Sequence, residues 1–354
     1  MTRIKAAVVG SGLIAQARHI PALLRMKKQV ELVAVCDKNE ELARKTANQF
    51  GISKVYGSTS EMFSKEKLDL VDICVPPQVH ADVAVEALQH GCHVMMEKPM
   101  ALKTSDCDRM LDASKQQGTK ICVIHNDLFH APLLKAKALL ADGAIGDFVG
   151  MRIFLSTPRW DMIDLEKHWY HRLPGGVIGE TGPHVAYMTL AFAGDVRGIE
   201  VFAQNRLGHS WAPYDEFRIE MDCEKGSSSA TLSYTRNCWA ANIDIYGTEE
   251  ALHVDLDQML LIRHKLRSLS YIPVSKLSLS TIAQTSKGFA SNVGRALVGR
   301  QRLGTDVVIS RFVESVVSSK PVPVSGEDGK KAVDLMERVV KRYTDRYDPK
   351  AQHK

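Results

Sequence analysis

Three short stretches of the sequence hold residue types that could do chemistry. "VVGSGLIA" (8–15) sets Gly10 and Gly12 directly after an apolar run, with Leu13, Ile14 and Ala15 following. "HVMMEKPMA" (93–101) ends another apolar run on Glu97, Lys98 and a proline. "GGVIGETGPHVAYM" (175–188) places Glu180 four residues before His184, a spacing that puts both on one face if the segment is helical. A glycine-rich turn opening a helix offers backbone N–H groups to phosphates. An imidazole, with an ordinary pKa near 6.5, can take or give a proton near neutrality. An ammonium beside an oxygen stabilises the negative charge left as that oxygen loses its proton. Each stretch also has a plainer reading: a turn without ligand, a solvated lysine at a strand end, a structural histidine. The elements around them decide.

"IKAAVV" (4–9) reads as a buried strand, and an amphipathic stretch follows the glycines to about Lys28. A second strand, "VELVAVCD", then ends on Asp37. This is G-x-G-x-x-A in its required setting of strand, turn, helix, strand and acid. Gly10 allows the turn, Gly12 admits a pyrophosphate close to the backbone, and Ala15 permits tight helix–strand packing. The helix start at Leu13 and Ile14 faces the phosphates. Asp37 can accept from both ribose hydroxyls, which favours NAD; Lys38 beside it leaves NADP open. The apolar runs "DLVDICVPP", "CHVMM" and "TKICVIH" alternate with helical stretches that end at Gly91 and Gly118. Such alternation predicts a doubly wound parallel sheet, with ligand at the carboxyl ends of its strands. Pro76, Pro77 and Lys98 stand at such ends, so Lys98 falls where a nicotinamide would sit.

The chain has 354 residues, 45% hydrophobic and 25% charged, which is ordinary for a globular protein and long enough for two domains. The first residues do not form a signal peptide, and no run approaches the roughly 18 apolar residues of a membrane span. Seven cysteines without framework spacing read as reduced, buried thiols of a cytoplasmic protein. No His, Cys, Asp or Glu cluster has metal-ligand spacing, so no metal is expected. His90 and His93 read as structural.

The stretches "VVGSGLIAQARHIPAL", "VPPQVHADVAVEALQHGCHVMMEKPMA" and "PGGVIGETGPHVAYM" resemble the Gfo/Idh/MocA oxidoreductases, and similarity runs over nearly the whole chain. The resemblance implies an N-terminal NAD(P)-binding Rossmann domain (1–124). It also implies a C-terminal substrate-binding and oligomerisation domain (125–354), α+β with a largely antiparallel open sheet. The family's catalytic lysine falls on Lys98 and its catalytic histidine on His184. Its aspartate in the same motif is Glu180 here, cast as the orienter of His184. Glu97, Lys98, Pro76 and His80 fall on cofactor-side positions, although His80 also reads as a helix-start histidine without a ligand. The resemblance makes a cis Lys98–Pro99 bond more frequent than the default of about 5–6%. Asn126 matches a substrate-side asparagine, while Asp127 and Leu128 stand where arginines are usual. In "KHWYHR" (167–172), Trp169 and Arg172 read either as a packed loop or as a sugar-stacking and hydroxyl-binding pair.

The implied activity is hydride transfer between nicotinamide and a secondary hydroxyl of a sugar, inositol or nucleotide sugar, in a homodimer or homotetramer. The alternatives are a glycosidase or lyase that oxidises transiently and regenerates its NAD, and a non-catalytic NAD(P)-binding sugar sensor.

Beyond residue 125, a helix at 131–142 leads to strands near 147–156, 197–208, 215–223, 228–236 and 239–246, with closing helices at 306–319 and 327–342. Between Asp257 and Asp306 the chain has no acid but eight bases, in a protein whose net charge is only +5. Ile282, Phe289, Val293 and Leu297 recur there near helical spacing, while Gly288, Gly294 and Gly299 weaken a helix. Segment 258–305 therefore reads as a basic surface or subunit-interface loop, as an amphipathic element on an anionic membrane, or as a cradle for a diphosphate. No nucleic-acid motif accompanies the charge.

Overall fold

The structure, a computed structural model, describes residues 3–265, 267–299, 302–318 and 320–347; Arg300 of the basic segment and Ser319 of an expected helix lie outside them. The chain forms two compact units, 1–126 with 302–334, and 127–301 with 335–354.

The first unit is built on six strands: β1 (Ile4–Val9), β2 (Val30–Cys36), β3 (Lys54–Tyr56), β4 (Leu70–Ile73), β5 (His93–Met96) and β6 (Ile121–Val123). They pair in the order β3-β2-β1-β4-β5-β6, parallel throughout. Central strand β4 is buried at every position, as a sheet covered on both faces requires. The crossovers are α1 (Ile20–Arg25), α2 (Glu40–Phe50), α3 (Thr59–Lys65), α4 (His80–Gln89) and α5 (Thr104–Gln117). Asn39 caps α2 by accepting from Leu42 N–H, and Gly51 ends it in the left-handed region, the arrangement such residues favour. Helix α9 (Gly304–Ser318) returns to this unit and buries Val308, Ile309, Phe312 and Val313.

The second unit holds α6 (Ala131–Ala141), α7 (Ile178–Ala193) and seven strands: β7 (Phe148–Ser156), β8 (Val196–Gln204), β9 (Glu216–Cys223), β10 (Ser227–Ser233), β11 (Ala240–Gly247), β12 (Ala251–Asp255) and β13 (Leu260–His264). Their order is β13-β12-β11-β7-β10-β9-β8, antiparallel except where β10 runs parallel to β7. In β9, Phe217, Ile219, Met221 and Cys223 are buried while Arg218, Glu220 and Asp222 are exposed. That period of two marks a sheet with one covered face. Strand β13 and the 27-residue helix α8 (Tyr271–Leu297) occupy most of segment 258–305, which the sequence suggested would be a loop. Gly288 does not break α8. A Cβ there would lie 2.4 Å from Leu260 Cδ2, so the glycine lets the helix sit against β13. Helix α10 (Gly326–Tyr347) divides at residue 334, its second part belonging to this unit. Six cysteines are buried, but Cys238 is exposed, contrary to a reading of all seven as buried.

Candidate functional site

In the first unit the turn after β1 begins at Gly10, whose φ is +100°. A Cβ there would lie 2.6 Å from the Cys74 carbonyl, so only glycine fits. A Cβ on Gly12 would meet nothing within 4 Å, and Leu13 is 86% exposed. The backbone there is open for close approach by a ligand. The helix begins with a widened π-turn, Ala15–His19, that buries Ala15 and His19. Asp37, just past β2, accepts from Ser11 N–H at 2.7 Å and from Asn39 N–H at 2.8 Å. The turn thus fixes the carboxylate, and each oxygen keeps acceptor capacity. Together these features suit a dinucleotide: an uncrowded glycine turn, an exposed helix start and a fixed acid.

Past β4, Pro76 is exposed, and His80 at the start of α4 is fully buried. Its Nε2 lies 2.8 Å from the Val75 carbonyl and its Nδ1 2.9 Å from the Pro99 carbonyl. Burial pushes its pKa down, more than the two carbonyls raise it. The ring therefore ties the end of β4 to the loop after β5. The Lys98–Pro99 bond is cis. Lys98 is half-buried, and its N–H donates to Glu97 Oε2 at 3.1 Å.

Glu97 also accepts from His19 Nε2 at 2.8 Å, and His19 Nδ1 donates to Asp72 at 2.9 Å. Burial opposes charge on His19, but the Asp72 carboxylate outweighs it and holds the pKa well above its ordinary value. Glu97 is likewise resisted by burial, yet the His19 hydrogen bond and charge, with Lys98 beside it, hold its pKa down. The result is an imidazolium closed between two carboxylates, directly behind Lys98. His19, Asp72 and Cys74 also bring three metal-type donor atoms within 4.8 Å, a grouping that sequence spacing does not reveal. Burial, then the Asp72 charge, pushes the Cys74 thiol up to about 12, and both His19 nitrogens are already engaged. The hydrogen bonds drawn by these groups are those of an ion pair.

In the second unit His184 lies in the second turn of α7, after Pro183. Its Nδ1 lies 2.7 Å from Asp127 Oδ2 and 2.6 Å from the Tyr187 hydroxyl. The Tyr187 oxygen also accepts from Asp127 N–H at 3.3 Å. Burial would raise the Asp127 pKa, but the facing His184 and the Tyr187 hydrogen bond carry it well below the carboxylate range. An ionised acceptor at Nδ1 fixes the proton there and leaves the lone pair on Nε2. The sequence cast Glu180 in this role from its helical spacing, yet the carboxylate at Nδ1 is Asp127. The signal that could have found it was the acid standing where a base was expected. Glu180, in the first turn of α7, and Asn126 are half-buried. Trp169 is half-buried and Arg172 exposed, on the 3-10 turn Trp169–Arg172.

Residues 4–125 match the model of an oxidoreductase family with an NAD-binding Rossmann fold, and residues 133–253 match the GFO/IDH/MocA C-terminal domain. Myo-inositol 2-dehydrogenase of Thermotoga maritima is 24% identical over 318 residues, covering 88% of each chain. D-apiose dehydrogenase of Paraburkholderia graminis is 26% identical over 277 residues, covering 74% of this chain and 70% of the relative. Among solved structures, the WlbA dehydrogenase from Bordetella pertussis, in complex with NADH and UDP-GlcNAcA, superposes with a TM-score of 0.79. It covers 97% of both chains at 18% identity, a likeness of fold.

Proposed function

The chain belongs to the Gfo/Idh/MocA family of NAD(P)-dependent oxidoreductases, and on that premise we propose that it oxidises or reduces a secondary carbinol of a sugar, cyclitol or nucleotide sugar. The observation that carries this reading is the Asp127–His184 pair: a histidine with one nitrogen fixed by an ionised carboxylate and the other left for a proton. The bound nicotinamide supplies the hydride acceptor or donor. His184 Nε2 takes the hydroxyl proton during oxidation and returns it during reduction. Asp127 stays ionised, so it steadies the imidazolium and does not receive the proton. The Lys98 ammonium stabilises the charge on the substrate oxygen. Gly10, Gly12, Leu13 and Ile14 receive the pyrophosphate, and Asp37 the adenosine ribose, which favours NAD over NADP. Glu97 and His80 set the backbone that carries Lys98, while Asn126, Glu180, Trp169 and Arg172 contact substrate hydroxyls. The relatives act on or bind compounds that span this substrate range, and their names support the class without choosing within it.

The test is nicotinamide absorbance with NAD and NADP against free sugars, inositols and nucleotide sugars. NADH formation that disappears in Lys98→Ala and His184→Ala, with NAD binding retained, is the expected result. Turnover unaffected by either change would overturn the assignment. Release of free sugar from a glycoside without net NADH would replace it with the cofactor-regenerating reaction.

A further inference from the structure

Helix α8 has 27 residues and buries none of them. One side sits on β13. Gln284 accepts from Arg263 N–H at 3.0 Å and donates to the Arg263 carbonyl at 3.1 Å. One and two turns on, Gly288 meets Leu260 and Asn292 donates to the Gln258 carbonyl at 2.9 Å. Residues at this spacing share a face. At 3.6 residues per turn, the side pointing away from the sheet carries Tyr271, Ile272, Leu279, Ile282, Phe289, Val293 and Leu297. All seven are exposed; Phe289 is 67% and Leu297 82% open to solvent. An apolar stripe of this extent facing water marks a surface made for a partner.

The charges around it name that partner. On the sheet side, Arg263 and Lys265 pair with Glu250 and Arg267 with Glu249. On the helix, Lys276, Lys287 and Arg295 are exposed, and among the described residues none has a carboxylate partner. No acid occurs between Asp257 and Asp306. A two-fold contact of this face with itself would bring cations against cations with nothing to neutralise them. A surface that is apolar beneath and anionic on top satisfies both the stripe and the bases, and no described helix is long and apolar enough to cross a membrane. We propose that α8 lies in the interface of an anionic lipid bilayer, its apolar side toward the acyl chains and Lys276 and Lys287 at the level of the headgroups.

Flotation of the full-length protein with vesicles of phosphatidylcholine, with and without phosphatidylglycerol, tests this. The expected result is flotation with the anionic vesicles alone, weakened by high salt. Lys276→Glu with Lys287→Glu should lower the partition coefficient at least about tenfold. Ile282→Asp with Phe289→Asp should abolish flotation; both pairs are exposed, and circular dichroism would confirm that the variants fold. Absence of flotation with anionic vesicles would overturn the proposal, as would flotation indifferent to both pairs of changes. An assembly in solution that Ile282→Asp dissolves, without any vesicle binding, would assign the face to a second copy of the chain.

Discussion

Among the histidines that carboxylates hold, His19 and His184 are held in opposite ways. His19 is fully buried, with a carboxylate on each ring nitrogen. His184 has one nitrogen on Asp127, and its side chain keeps 19% of its surface open. Both pairings favour the proton on the nitrogen that faces the acid. In the first case no lone pair is left and nowhere for a proton to go, so the ring serves as a fixed cation that sets Glu97. In the second the lone pair remains on Nε2, so the ring can exchange a proton. A histidine–carboxylate pair is thus structural or chemical according to its second nitrogen.

The largest expected effect tests the open histidine. His184→Ala should lower kcat by about 10²–10⁴-fold, the usual contribution of a positioned acid or base. The same comparison predicts the reverse for the closed pair. Asp72→Ala leaves a buried imidazolium short of one partner and should cost about 3–5 kcal/mol in denaturant unfolding. A variant with native stability would show that His19 is not a buried cation. Asp127→Asn keeps shape but removes a charged acceptor, worth about 1.5–3 kcal/mol, so kcat should fall roughly ten- to a hundredfold. If Asp127→Asn turns over as fast as the unsubstituted enzyme, the orienting carboxylate lies elsewhere, and Glu180 is the first to try.

The smallest effect is the pH dependence of stability. The His19 pKa is raised in the fold, so its contribution is complete below the ordinary 6.5 and is lost as pH rises through the folded value. The Glu97 pKa is depressed, so its contribution is present above the ordinary 4.5 and is lost as pH falls through the folded value. The groups facing His19 are Asp72, Cys74 and Glu97. Melting temperatures measured across the alkaline range should decline in the unsubstituted protein, and less steeply in Asp72→Asn.

What the sequence made legible was local. The alternation of buried strands and helices over 4–123, the glycine turn with Asp37 and the E-K-P stop all depend on residues close in the chain. The alternation of buried and exposed residues in strands such as β9 likewise marked a sheet with one covered face. Harder to read were pairings across elements. Asp127 and His184 are 57 residues apart and His19 and Asp72 are 53 apart, and no period links such pairs. Glu180 drew the orienting role because helical spacing is visible and tertiary contact is not. In α8 the glycines argued against a helix, whereas Gly288 lies inside it, close against Leu260.

Helix α9, which covers part of the first sheet, is encoded after the entire second sheet. During synthesis the nucleotide-binding unit therefore waits. Residues 1–126 emerge first, but α1 and the turn before it lack α9 until residues 302–334 follow. At about 5–20 residues per second that delay is on the order of ten seconds or more. Through that interval the ribosome holds an unfinished layer, and a later part of the message completes the domain that an earlier part began.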